Sequence, residues 1–169
     1  MIDRASMNPM LPEWVVTMKS HAPDSPHPAE HTPDDSMLVW KVVDMDEKDS
    51  IVLIEVSLRA PGIKLDCCDW FGFSDVMDFH KSLTEFKNRK IDECGMVGFE
   101  SLLNCRFSRV RGERFSGNCL SLSFKSLVPC ATPFVARMEG VGLWDEQEFT
   151  PLLQVLGEVA AVMKKLHPG

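Results

Sequence analysis

The stretch DCCDWFGFSDVMDFHKSLTEF, Asp66–Phe86, changes its period in the middle, and that change decides the fold class. In its first part, adjacent residues such as Cys67 and Cys68 fall on opposite faces of an extended strand. From Phe73 onward Val76, Phe79, His80, Leu83 and Phe86 recur at steps of three and four, which is one stripe of a helix. Ser74 is a suitable N-cap, and Asp75 and Asp78 fall in the first turn, where carboxylates interact favourably with the helix dipole. The spacing predicts a helix from about Ser74 to about Arg89, reached through an acidic-aromatic loop.

Working outward, MLVWKVVDMD and SIVLIEVSLRA are β-branched-rich runs separated by the polar EKD, the pattern of a hairpin. Val52, Ile54, Val56 and Leu58 fall on one face of the second run, with Glu55 and Ser57 on the other. Pro61 and Gly62 turn the chain into a third strand that ends at the two cysteines. Beyond the helix, GFESLLNCRFSRV and GNCLSLSFKSLV flank the turn RGER as a second hairpin, and ATPFVARMEGVGL supplies one further strand. Phe149, Leu152, Leu153, Leu156, Ala160 and Met163 give the segment from about Glu146 to Leu166 a helical stripe, with Pro151 in its first turn and Thr150 as a candidate cap. This order is that of an α+β fold: an antiparallel sheet of about six strands with two main helices packed on one face. No internal repeat is evident.

The chain has 169 residues, enough for one domain with a full core and a tail. Residues 1–36 read as a flexible Pro/His-rich extension and residues 37–169 as a single α+β domain. His21–Ser36 is rich in proline and poor in apolar side chains, so it has little to bury. Just before it, LPEWVVTMK is expected to form a short helical turn or strand that docks through Trp14 and Val15. The start MIDRASMNPMLPEWVV lacks the pattern of a secretory signal, and no run approaches the roughly 18 apolar residues of a membrane span. A cytoplasmic chain with reduced thiols is expected, without membrane association. The formal charge of −7 argues against a general nucleic-acid binder, which needs a concentrated basic field, and favours a protein partner.

Several groupings invite a chemical reading. His21, His27 and His31 are imidazoles without a fixed frame, and zinc needs about four ligands in tetrahedral geometry. Cys67, Cys68, Cys94, Cys105, Cys119 and Cys130 contain no C-x-x-C pair and read as core thiols. A nucleophilic pair of Cys67 or Cys68 with His80 would need both groups to meet, and His80 falls on the apolar stripe. Asp66, Asp69, Asp75 and Asp78 could supply paired carboxylates only if their environments pushed their pKa values apart. Arg106, Arg109, Arg111 and Arg114 surround the predicted turn, with Arg109 and Arg111 on one strand face as an anion or RNA contact would have them, but without interleaved aromatics they read rather as a solvated hairpin. No glycine-rich phosphate loop, G-x-S-x-G or H-E-x-x-H occurs, so no motif asks for an enzyme, a cofactor or a metal.

The order of features is more informative: a strand pair, then DWFGFSDVMDFHKSLTEF, GFESL, RGERFSGNCLSLSFKS and PFVARMEGVGLWDEQEFTPLLQVL. Over about Met37 to Leu166 it resembles the small immunity proteins of bacterial polymorphic-toxin systems, especially the WapI-type group and related uncharacterised immunity domains. The resemblance implies a cytoplasmic, non-catalytic protein that binds one cognate toxin domain and covers its active site. An acidic surface would complement the basic clefts of toxins that act on nucleic acids or nucleotides. Asp66, Asp69, Trp70, Asp75 and Asp78 are the expected toxin-binding residues, with Trp70 as anchor. Trp144, Glu146 and Glu148 form a second candidate patch. The chain would act as a monomer or a homodimer. The alternative is an acidic secretion chaperone or adaptor that binds an extended effector segment. A third reading, an enzyme, would need a pocket in which His80 meets a cysteine or carboxylate.

Overall fold

The computed structural model describes residues 14–19, 37–60, 63–111, 116–126, 134–140 and 146–166. Four strands come first: β1 (Val15–Lys19), β2 (Met37–Asp46), β3 (Ile51–Ala60) and β4 (Ile63–Gly72), paired antiparallel in chain order. The β2–β3 turn is built by Asp46, whose Oδ1 accepts the backbone N–H groups of Lys48 at 3.0 Å and Asp49 at 3.1 Å. Ser50 closes it in the left-handed region at φ 56°. The expected alternation holds in β3: Val52, Ile54 and Val56 are fully buried, and Leu58 packs at the edge of the same core. Leu53 is also buried but belongs to the opposite face, directly across from Trp70 of β4.

Strand β1 lies inside the stretch assigned from sequence to the flexible extension, yet it is paired along its length with β2. Period two drives this, because Val16 and Met18 point inward with Trp14 ahead of them, and all three are buried. The expected docking residues are corrected accordingly: Trp14 enters the core, whereas Val15 faces outward. The indole Nε1 of Trp14 donates to Glu158 Oε2 at 3.0 Å, which ties the start of this strand to the last helix. His21, His27 and His31 lie outside the described residues.

A second antiparallel set follows, again in chain order: β5 (Glu93–Val97), β6 (Leu103–Arg111), β7 (Ser116–Ser126) and β8 (Phe134–Gly140). The α+β class and the antiparallel pairing stand, but the expectation of one sheet of about six strands is corrected to two sheets of four. The physical reason is the helix between β4 and β5: it carries the chain away from the β4 edge, so β5 pairs forward with β6. The segment ECGMV, five residues long, gave too short an alternation to be read as a strand.

Helix α1 (Phe73–Lys87) buries Val76, Phe79, Leu83 and Phe86, the stripe read from sequence. Its N-cap is Gly72 rather than Ser74, and Asp75 Oδ2 accepts the Gly72 N–H at 3.1 Å. Helix α2 (Phe149–Leu166) follows directly from a 3₁₀ turn at Glu146–Glu148 and buries Phe149, Leu152, Leu156, Val159, Ala160 and Met163. Thr150 is within its first turn and accepts a hydrogen bond from Lys87 Nζ at 2.7 Å instead of capping. The helices pack on each other and each also reaches the sheet of the other half: α1 lies against β5 and α2 against β1. An aromatic column marks where they meet. Trp40, Phe79 and Phe107 stack with centroids 6.0–6.3 Å apart, and Phe149 meets Phe107 edge-on at 5.1 Å. One core therefore draws on both sheets and both helices.

Candidate interaction surface

Along β4 the side chains alternate, so Asp69 and Phe71 face inward while Asp66, Cys68 and Trp70 face outward. Asp69 is the one charged side chain among the described residues that is fully buried. A carboxylate in such a place needs donors on its lone pairs, because leaving it bare would cost several kcal/mol. The β5–β6 turn supplies them. Asp69 Oδ2 accepts the N–H groups of Leu102 at 2.8 Å and Leu103 at 3.1 Å, and Oδ1 accepts those of Trp70 at 2.8 Å and Glu100 at 3.3 Å. The turn is further fixed by Gly98 N–H on Leu103 O at 2.9 Å and Phe99 N–H on Trp70 O at 2.8 Å. Gly98 is required there, since a Cβ on it would collide with the Asp69 carboxylate.

The consequence of that anchoring is an exposed aromatic. Phe99, on this tightly held turn, is 60% exposed, and Val97, at the end of β5, is 49% exposed. The Phe99 ring lies over Gly72, where a Cβ would stand 3.1 Å from its Cζ and 2.8 Å from Asp75 Oδ2. Ring and carboxylate thus meet above the start of α1. On the neighbouring strand face Trp70 is half-buried against Leu53, and the exposed Glu100 stands near Cys68. Burial, and then the carboxylates Glu55, Asp69 and Glu100, push the Cys68 thiol up. The surface so formed is Trp70 and Phe99 with Asp75 and Glu100 beside them. Glu55 contributes less net charge, because Lys41 faces it across the ladder.

The other expected residues divide. Asp69 is corrected from a docking acid to an internal anchor. Asp66 is on the outer face, hydrogen-bonded to Ser57 and ion-paired with Lys64 at 3.2 Å, and both hold its carboxyl below its usual range. Asp78 is exposed on α1 one turn past Asp75. Glu146 belongs to a different construction. It accepts from Arg89 Nε at 2.7 Å and Arg109 at 3.3 Å, and the Arg89 hydrogen bond is the main cause holding its carboxyl low. Arg109 also donates to Phe86 O and lies over the Phe86 ring, 4.5 Å from its centroid, so it caps the C-terminal end of α1. Asp75 and Glu146 therefore mark opposite ends of α1, separated by about 20 Å at 1.5 Å per helical residue. Glu148 is half-buried on the same 3₁₀ turn, and Trp144 lies outside the described residues. The two candidate patches are separate surfaces.

The arginine group read as a solvated hairpin is divided as well. Arg106 pairs with Glu93, Arg109 is the cap just described, and the Arg111 side chain and Arg114 lie outside the described residues. The cysteines are poor nucleophile candidates. Burial pushes the Cys67 thiol up to about 11 and the Cys94 thiol up to about 12, and raises Cys105 strongly. Cys67 Sγ donates to Leu102 O at 3.4 Å, whereas His80 faces Gly157 of α2. Among the described residues no three His, Cys, Asp or Glu side chains are grouped to hold a metal ion, and no helix is long and apolar enough to cross a membrane.

Phe99 and Glu100 were missed in the sequence because GFESL read as the entry to a strand, and Val97 because ECGMV was not read as one. The available signal was Gly98 followed by polar Glu100 and Ser101, a turn pattern, with Ser101 adopting φ 54°. No family model, curated protein or solved structure matches this chain.

Proposed function

We propose that this chain is a non-catalytic binding protein, an immunity protein that neutralises a cognate bacterial toxin domain by covering it with the surface around Trp70 and Phe99. The observation that carries this reading is the exposure of Phe99 on a fixed turn beside Asp75 and Glu100. A large aromatic left in water on a rigid element contributes nothing to the core, and aromatics rimmed by polar groups are the usual anchors of protein interfaces. The net charge of −7 favours encounter with a basic partner. The order of strands and helices supports the immunity assignment through its resemblance to polymorphic-toxin immunity proteins.

Co-expression with the product of the adjacent gene tests the proposal. Restored growth and co-purification of the two chains are expected. Continued growth arrest, with the two chains eluting separately, rejects it; retention of a disordered N-terminal effector segment would place the chain with secretion chaperones instead.

A further inference from the structure

We infer that the Gly98–Leu103 turn is a preformed display element, held by Asp69 as a positioning residue, and that it fits a protein surface offering an apolar pocket for Phe99 rimmed by lysine or arginine. This rests on the protein-binding reading above. The base of the turn is over-determined: three of its N–H groups, from Glu100, Leu102 and Leu103, converge on one buried carboxylate. Charge-assisted hydrogen bonds of this kind are about twice as strong as neutral ones, and here the acceptor is buried. The tip is the reverse, since Phe99 and Glu100 are both exposed.

A turn rigid at its base and apolar at its tip has little ordering entropy left to lose on binding. Asp75, against the same glycine as the Phe99 ring, and Glu100, next in sequence, fix the sign of the partner's rim as positive. Arginine suits such a rim best, because its planar fork can both stack on an aromatic and bond a carboxylate.

Asp69→Asn is the informative variant, being nearly isosteric while replacing one acceptor oxygen by a donor that faces N–H groups. By hydrogen exchange, the amides of Glu100, Leu102 and Leu103 are expected to be protected in the native chain. In Asp69→Asn they should exchange about tenfold faster or more, with the β2 and β3 amides unchanged. Should Asp69→Asn fail to fold, the native chain decides alone: unprotected amides at those positions overturn the inference.

Titration with the adjacent gene's product, as the candidate toxin, supplies the second arm. Both Asp69→Asn and Phe99→Ala should weaken binding, and affinity of the native chain should fall as salt is raised. Unchanged affinity for Asp69→Asn, or a native dimer that Phe99→Ala dissociates, overturns the inference, the latter by making a second copy the occupant. A native chain that does not bind the toxin domain removes the immunity reading and the docking half of this inference with it. Rapid exchange in the turn removes the inference alone.

Discussion

At the scale of single residues, Asp69 shows how one position in an acidic stretch can differ in kind from its neighbours. In the sequence it is one of four aspartates around the start of a helix; in the fold it is the acceptor that holds a distant turn. Gly98 is its complement. Gly98→Ala should lower stability by about 1–3 kcal/mol, because the added methyl group must displace the carboxylate or the turn; a urea denaturation midpoint equal to that of the native chain would contradict this. The cysteines set a pH dependence. Burial holds the folded-state values of Cys67 and Cys94 above that of an ordinary thiol. The folded chain therefore holds protons that the unfolded chain releases, and this contribution is complete below about pH 9 and lost as pH rises through about 11 to 12. Denaturation midpoints should accordingly fall on the alkaline side, and replacing Cys67 and Cys94 with alanine should flatten that fall.

At the scale of elements, legibility followed the strength of the hydrophobic period. The β2–β3 hairpin and α1 were readable because Val52, Ile54 and Val56, and then Val76, Phe79, Leu83 and Phe86, repeat without interruption. The short strands were not. β1 is only five residues long, and its two inward side chains are followed by a proline-rich segment, so the sequence left helical turn and strand open for it and placed it in the extension. β5 carries a glycine in its middle, which breaks the alternation, and that glycine is needed because β6 approaches closely enough for a Cβ to strike the Cys105 carbonyl. The candidate surface was half legible: Trp70 and Asp75 belong to it, while Phe99 was hidden in a turn whose shape depends on a residue some thirty positions earlier. No local pattern encodes such a contact. A chain starting at Met37 should lose much of its stability, since Trp14, Val16 and Met18 are core residues and a single buried methionine truncated to alanine already costs about 2–5 kcal/mol. Equal unfolding midpoints for this chain and the full one would show that β1 is dispensable.

At the scale of the whole molecule, a four-stranded meander followed by a helix occurs twice in succession. The halves are bound reciprocally, each helix lying against a strand of the other half, and the aromatic column passes through both. That arrangement gives the two halves one shared core and leaves the junction between β4 and the β5–β6 turn at its surface. The junction carries Phe99. Because the residue is largely solvent-exposed, its removal should leave folding within about 0.5 kcal/mol of the native chain, whereas loss of an interface anchor typically costs 2 kcal/mol or more. The most direct measurement is calorimetric titration of the cognate toxin domain into the native chain and into Phe99→Ala. Affinity for the variant is expected to be roughly thirtyfold weaker, with an unchanged unfolding midpoint. Equal affinity for the two chains would contradict it.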